Sequence, residues 1–190
     1  MTEKPILFND EMIRAILDGR KTQTRRPIRT SGFYVETQRS IKLNYTLRYT
    51  VGDVLWVRET WKPTRCGFDD SVSYVRYRAD DTRLEIRHDI QGCMTDHWRP
   101  SVHMPRWASR ITLEVTDVVI QRLQEISTAE CLAEGSVPPC CKSFGTIGGG
   151  WTVHVLFREM WDSIYAKRGF GWDENPWVEA VTFVVREVRG

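Results

Sequence analysis

The segment between residues 19 and 29 combines cationic and hydroxyl side chains in a way that suits an anionic ligand. It carries five cations and no acid, and the cations are Arg20, Lys21, Arg25, Arg26 and Arg29. Guanidinium groups bind phosphate or carboxylate through paired, charge-assisted hydrogen bonds, so Arg20, Arg25 and Arg26 are candidate ligand contacts. The alternative is that these arginines are solvated charges flanking Pro27. The segment therefore predicts a basic loop that can hold a nucleotide-like ligand.

Aromatic and acidic side chains outside this segment add further candidates. Trp107 can stack on a pyrimidine base while the adjacent Arg106 reaches a phosphate, although a tryptophan packed at the rim of the core is the alternative. Glu59, at the end of a predicted strand, can contact a ligand or pair with an arginine of the basic segment. We therefore predict ligand contacts at these three positions.

The cysteine and histidine residues do not form a pattern typical of a metal site. The five cysteines are odd in number, and no Cys-x-x-Cys or His-x-x-x-His spacing occurs. This favours free thiols in a reducing cytoplasm, and we expect neither a metal nor a cofactor. The sequence shows no signal peptide and no apolar stretch of about 18 residues, so we expect a cytoplasmic protein without a membrane span. The net charge of +2 is too small to predict a nucleic-acid binder by itself.

The basic segment follows a short predicted helix over about residues 10–18. Asn9 or Asp10 can cap its start, apolar residues recur along one face at helical spacing, and Gly19 is a typical stop. Pro27 prevents any helical continuation. The helix therefore gives the basic loop a packed base from which its side chains project.

The remainder of the chain alternates predicted strands with two more helices. Strands are predicted at residues 54–59, 108–119 and 178–188, and a hairpin pairs residues 74–78 with residues 84–87. A capping box of Ser127 and Glu130 starts a second helix that Gly135 closes, and apolar residues between 155 and 164 mark a third. Residues 30–50 are predicted to be loop with one irregular strand, and residues 136–152, with two prolines and four glycines, are predicted to be loop. These elements favour a single α+β domain over residues 1–190, a small β-barrel with peripheral helices, with insertions at about 62–103 and 136–152.

Three short motifs in this order resemble the ASCH domain. They are Gly19-x-Lys21-Thr22-x-Thr24-x-Arg26 after the first helix, Gly52-Asp53-x-Leu55 at the start of a strand, and Ala133-Glu134-Gly135 at the end of a later helix. The segments from Met104 to Arg110 and from Trp172 to Trp177 are similar to those of longer ASCH proteins of phages and prophages. The resemblance implies the PUA-like fold, a small β-barrel whose members mostly bind RNA or modified bases.

The resemblance also implies candidate catalytic residues. Some small bacterial ASCH proteins are amidohydrolases that remove the acetyl group of N4-acetylcytidine with a lysine, a threonine and a glutamate. In this sequence those positions are Lys21, Thr24 and Glu134. In such a site the threonine hydroxyl needs a neighbour to take its proton, and the glutamate can activate water or protonate the departing amine. The structural alternative is an ion pair between Lys21 and Glu134.

Three functions are compatible with this resemblance. The ligand is expected to be a pyrimidine nucleoside or a nucleic acid, with RNA favoured over DNA. As an enzyme the protein would hydrolyse the amide of N4-acylated cytidine without a metal, and as a non-catalytic module it would read RNA or modified DNA. A ribonuclease ranks lowest, because no pair of histidines is placed for acid–base chemistry.

Overall fold

The computed structural model describes residues 3–28, 36–37, 40–41, 47–66, 69–86, 97–135 and 149–189. In chain order the elements are β1 (Glu3–Leu7), α1 (Asp10–Leu17), β2 (Gln23–Pro27), β3 (Glu36–Thr37), β4 (Ser40–Ile41), β5 (Val54–Arg58), β6 (Trp61–Cys66), β7 (Asp69–Tyr77), β8 (Arg83–Ile86), β9 (Ile111–Arg122), α2 (Thr128–Ala133), α3 (Gly149–Tyr165) and β10 (Trp177–Val188). This mixture confirms the α+β class. Among the helices that the structure describes, none is long and apolar enough to cross a membrane.

The strands form three sheets. The largest has the strand order β1-β5-β9-β10-β2, while β3 pairs with β4 and β6-β7-β8 form a three-stranded sheet. The chain divides into two compact units. The first unit contains Met1–Thr22, Gly52–Thr116 and Phe183–Gly190, and the second contains Gln23–Val51 and Asp117–Thr182. The single domain with two insertions stays a prediction.

Helix α1 forms as its sequence predicts. The side chain of Asn9 accepts a hydrogen bond of 2.9 Å from the backbone N–H of Met12, which satisfies one of the free donors of the first turn. The apolar side chains of the helix are buried on one face. Gly19 follows with φ +69°, a backbone conformation that glycine adopts without steric cost, and it ends the helix.

The first unit is built on β5, which is buried along most of its length. It pairs in parallel with β1 and antiparallel with β9, so Leu55 lies beside both Lys4 and Leu113. The sheet β6-β7-β8 is antiparallel throughout and packs one face on a core cluster around Trp61 and Tyr77. The predicted hairpin is confirmed, since Tyr74 pairs with Glu85 and Val75 with Leu84.

The second unit is built on α3, α2 and the pairing of β2 with β10. A core cluster joins these elements and consists of Leu123, Ile126, Cys131, Val153, Phe157, Trp161, Tyr165 and Val178. The predicted capping box of α2 is present, because Ser127 and Glu130 each accept a hydrogen bond from the other's backbone N–H. Burial raises the pKa of the Cys131 thiol in this core to about 12.

Two local predictions are wrong. Residues 23–27 of the basic segment form strand β2, where a loop was predicted, because they pair antiparallel with Val178–Thr182, residues far away in sequence. Residues 149–152, predicted to be loop, belong to α3. The rest of the 136–152 segment and most of residues 30–50 lie outside the described residues.

Candidate ligand-binding site

The most distinctive feature of the second unit is a buried arginine between two glutamates. Arg25 lies in the middle of β2 and its side chain is fully buried. Its Nη2 donates to Glu130 at 2.7 Å, and its Nη1 donates to Glu134 at 3.2 Å and to Gln23 at 2.7 Å. Helix α2 supplies both carboxylates because residues four apart in a helix lie on the same face. The predicted ligand contact Arg25 is thus held by the chain itself and fixes the carboxylate of Glu134.

One donor of this arginine is not used. The buried Nε of Arg25 has no hydrogen-bond partner among the residues that the structure describes. A buried donor without an acceptor costs about 1–3 kcal/mol, and an oxygen atom of a bound ligand would recover that free energy. Arg58 Nε and Trp61 Nε1 of the first unit are in the same state, so this feature supports a binding site only together with its surroundings.

Arg26, the next residue of β2, belongs to a second polar group. Its Nη1 donates to the hydroxyl of Tyr165 at 2.9 Å. Burial alone would lower the pKa of Arg26, and the hydrogen bond and charge of Tyr165 outweigh that effect, so the pKa is raised. Glu179 of β10 pairs with Arg26 in register and is buried, and its carboxylate accepts a hydrogen bond of 2.9 Å from the backbone N–H of Tyr49. A second charge is therefore fixed beside β2.

The three candidate catalytic residues are all buried. Lys21 is 1% exposed in the first unit, while Thr24 and Glu134 are each 2% exposed in the second. The amine of Lys21 lies 5.5 Å from the centroid of the Phe8 ring. Since neighbouring side chains of a strand alternate, Thr24 points to the face of β2 opposite to Arg25. All three side chains are therefore shielded from water.

Glu59 forms a buried ion pair in the first unit. It accepts two hydrogen bonds of 2.9 Å from Nε and Nη2 of Arg110. Asp80 contacts the same guanidinium at 2.8 Å and 3.0 Å, and the Tyr77 ring centroid lies 4.2 Å from it. Burial raises the pKa of Glu59, and Arg110 offsets part of that rise. Glu59 therefore pairs with an arginine, but its partner is Arg110 and not an arginine of the basic segment, as the sequence had suggested.

The other predicted contacts lie at the surface or the rim of the first unit. Arg106 is half-buried and donates to Glu3 at 2.9 Å, and Arg20 donates to Asp18 at 2.9 Å. Trp107 is half-buried, with its ring against the edge of Trp61 at 5.7 Å. Packing at the core rim thus accounts for the position of Trp107, the alternative that the sequence left open.

Sequence reasoning missed the partners that hold these arginines. Glu130 was read only as part of a capping box, although its spacing of four from Glu134 places both on one helix face. Tyr165 and Arg110 gave no local signal, because their partners lie far away in sequence. Among the described residues, no cluster of three or more His, Cys, Asp or Glu side chains could hold a metal ion.

The comparisons with known proteins give similar structures and no sequence match. No family model and no curated protein sequence matches the chain. A crystal structure of a DUF984 protein from Enterococcus faecalis is similar over 99% of this chain and 82% of that chain, with 11% identity and a TM-score of 0.46. A crystal structure of an ASCH domain from Lactobacillus crispatus is similar over 97% of this chain and 79% of that chain, with 12% identity and a TM-score of 0.42.

Proposed function

We propose that the protein binds a pyrimidine nucleoside, free or within a nucleic acid, at the polar side chains of β2 and α2. The observation that carries this proposal is the buried Nε–H of Arg25, which has no acceptor among the described residues although both Nη atoms of the same guanidinium donate hydrogen bonds within the chain. Pyrimidines carry a carbonyl oxygen at C2, and an acyl group on N4 adds another. Either oxygen can accept this hydrogen bond, which is strengthened by the positive charge of the arginine.

We further propose that the ligand is an N4-acylated cytosine and that its amide is hydrolysed. Glu134 would take a proton from water as the water oxygen adds to the acyl carbonyl carbon. The C–N bond then breaks, the proton passes to N4, and the products are cytidine and the carboxylic acid. Arg25 suits this scheme because it fixes the carboxylate of Glu134 at 3.2 Å. Lys21 and Thr24 enter the proposal only through the resemblance to the ASCH motif, and no step is assigned to Thr24, because alternation along β2 directs it away from Arg25 and its partner Glu134.

The test is turnover of N4-acetylcytidine, followed by chromatography of cytidine. Wild-type protein should release cytidine, and Glu134→Gln and Lys21→Ala should each reduce kcat at least 100-fold, typical of removing an acid–base group. Glu187→Gln and Lys167→Ala are matched controls, because both side chains are exposed and lie outside the proposed machinery. Absence of cytidine with fresh, folded wild-type protein would remove the hydrolase proposal.

A non-catalytic reader is the second candidate, and one contact favours it. One carboxylate oxygen of Glu134 already accepts a hydrogen bond of 3.2 Å from Arg25, so that oxygen is engaged within the chain rather than with a water molecule. A reader would bind N4-acetylcytidine or RNA that contains it without releasing cytidine. Isothermal titration of the modified and the unmodified nucleoside separates the two candidates. Equal affinity for both, or binding to neither, would count against a reader of this modification.

A further inference from the structure

The outer face of the sheet β6-β7-β8 carries a row of cations. Lys62, Arg76 and Arg83 occupy neighbouring positions on the three strands, because Lys62 pairs with Arg76 and Arg76 with Arg83. All three are half-buried or exposed, whereas Trp61 and Tyr77, one position along their strands, are buried in the core cluster. Alternation along a strand therefore directs the three cations to the opposite, outer face.

An aromatic ring extends this row at the free edge of β6. Arg99 forms an antiparallel bridge with Trp61, and each donates a backbone hydrogen bond to the other. The same pairing places Trp98 beside Lys62, and the amine of Lys62 lies 5.1 Å from the centroid of the Trp98 ring. Trp98 is half-buried, so part of its ring is open to a ligand. The row therefore reads Trp98, Lys62, Arg76, Arg83.

A second row on the same face adds another aromatic side chain. Tyr74 precedes Arg76 by two residues on β7 and pairs with Thr64 and Glu85. Tyr74 is half-buried, and because residues two apart share a face of the sheet, it flanks the cations. The face thus offers rings on two sides of a line of positive charge.

Glu85 lies on this face because it pairs with Tyr74, and Asp81 lies beside it, so the three cations exceed these two acids by one positive charge. Asp81 forms an ion pair with Arg76 and is itself 62% exposed. The Arg76 guanidinium holds the pKa of Asp81 below its usual range, and the charges of Arg83 and Lys62 lower it further. The positive charges of Lys62, Arg76 and Arg83 therefore all stabilise the ionised carboxylate of Asp81. An exposed ion pair contributes little to stability, so a phosphate can replace Asp81.

We propose that this face, defined by Trp98, Lys62, Tyr74, Arg76 and Arg83, binds single-stranded nucleic acid. The cations would contact successive phosphates, and Trp98 and Tyr74 would stack on bases. Strands lie about 4.8 Å apart, so the three cations span about 10 Å, over which a nucleic-acid strand presents several phosphates. Aromatic side chains interleaved with cations are typical of surfaces that bind unpaired strands, because the bases of a duplex are not free to stack on them. The inference shares no residue with the site on β2 and α2 and does not depend on it.

Fluorescence anisotropy with labelled oligo(U) and oligo(dT) of 12 nucleotides tests this inference with the full chain. Three phosphate contacts predict that affinity falls roughly 20-fold between 50 mM and 200 mM salt. The double variant Lys62→Gln, Arg83→Gln should bind more weakly at 50 mM salt and lose only about 3-fold over the same range. The two oligonucleotides separate RNA from DNA as the source of the strand.

Matched variants make the result specific. Lys167→Gln, Arg186→Gln removes the same charge from exposed positions outside this face and should leave binding unchanged. Trp98→Ala should weaken binding roughly 5- to 100-fold, and Trp98→Phe should restore much of it, because a phenyl ring still stacks. Thermal melting of each variant shows whether it is folded.

Three results would overturn the inference. They are no oligonucleotide binding by wild-type protein, equal losses in the two double variants, and tighter binding of a blunt duplex than of either single strand. The inference and the proposed hydrolase fail separately. Glu134→Gln should still bind oligonucleotides, and the Lys62→Gln, Arg83→Gln variant should still release cytidine from free N4-acetylcytidine if that reaction occurs.

Discussion

Each compact unit contains one buried arginine that is held by a fully buried glutamate and by a second, partly exposed acid. The two sets are Arg110 with Glu59 and Asp80 in the first unit, and Arg25 with Glu134 and Glu130 in the second. In the first set, all three guanidinium nitrogens donate hydrogen bonds. In the second set, Nε has no acceptor among the described residues.

The difference indicates what each set is suited to do. A closed set, in which every donor is satisfied, holds strands together and leaves nothing for a ligand. An open set retains a directed, charged donor in a place where water is largely excluded, and there a hydrogen bond contributes most to binding. The same residue types therefore point to a structural role around Arg110 and to a binding role around Arg25.

The largest expected effect comes from Glu59→Gln. This change replaces one of the two carboxylate oxygens that accept hydrogen bonds of 2.9 Å from Arg110 with an NH2 group, so two donors face each other, and Asp80 is left as the charged partner of that buried guanidinium. We expect a loss of about 3 kcal/mol in the free energy of unfolding, measured by urea denaturation. A loss below about 1 kcal/mol would show that Glu59 is not needed to satisfy the hydrogen-bond donors of Arg110.

The matched change in the second unit, Glu134→Gln, should cost less. Glu134 makes one contact of 3.2 Å to Arg25, which keeps Glu130 and Gln23 as partners. We expect a loss of about 1 kcal/mol in the same urea measurement. Stability losses of equal size in the two variants would remove the contrast between the sets.

Glu59 of the first set and Glu130 of the second should titrate in opposite directions. The pKa of Glu59 is raised, chiefly by burial, whereas the pKa of Glu130 is lowered because the hydrogen bonds from Ser127 and the charge of Arg25 outweigh its smaller burial. Carboxyl-carbon NMR should give midpoints above and below the ordinary glutamate value of about 4.3, respectively. Midpoints on the same side of that value would contradict the assignment.

The sign of the effect on stability follows from these shifts. The contribution of Glu130 is present above its unfolded pKa and is lost as pH falls through its lowered folded pKa. The contribution of Glu59 is present below its unfolded pKa and is lost as pH rises through its raised folded pKa. In the wild-type protein this loss lowers the free energy of unfolding as the pH rises above about 4.3. Glu59→Gln cannot ionise at this position, so its free energy of unfolding should fall less over the same pH range. Urea denaturation at a series of pH values measures the difference.

The smallest expected effect comes from Glu130→Gln. The side chain of Glu130 is 30% exposed, so water replaces part of what the ion pair supplies. Glutamine can also keep the capping box with Ser127. We expect about 0.5 kcal/mol or less in the free energy of unfolding. A larger loss would mean that Glu130, and not Glu134, is the main partner of Arg25.

Local signals in the sequence were sufficient for α1, α2 and the hairpin. Asn9 caps α1 and Ser127 caps α2 through contacts within three residues, and such contacts can be read from spacing. Strand β2 could not be predicted in this way, because its hydrogen bonds go to residues about 150 positions later. The carboxylate partners of Arg25 lie over 100 positions away in the sequence. Sequence patterns therefore marked Arg25 as a candidate ligand contact but could not predict that Glu130 and Glu134 bind it.

The distance between β2 and its partner strand also matters during synthesis. Residues 23–27 leave the ribosome early, and Val178–Thr182, with which they pair, follow about 150 residues later. At 5–20 residues per second, the nascent chain presents an unpaired strand edge for roughly 8 to 30 s. The cations Arg25 and Arg26 within that strand oppose edge-to-edge association during this interval, because charged side chains disfavour stacking of strands from separate chains.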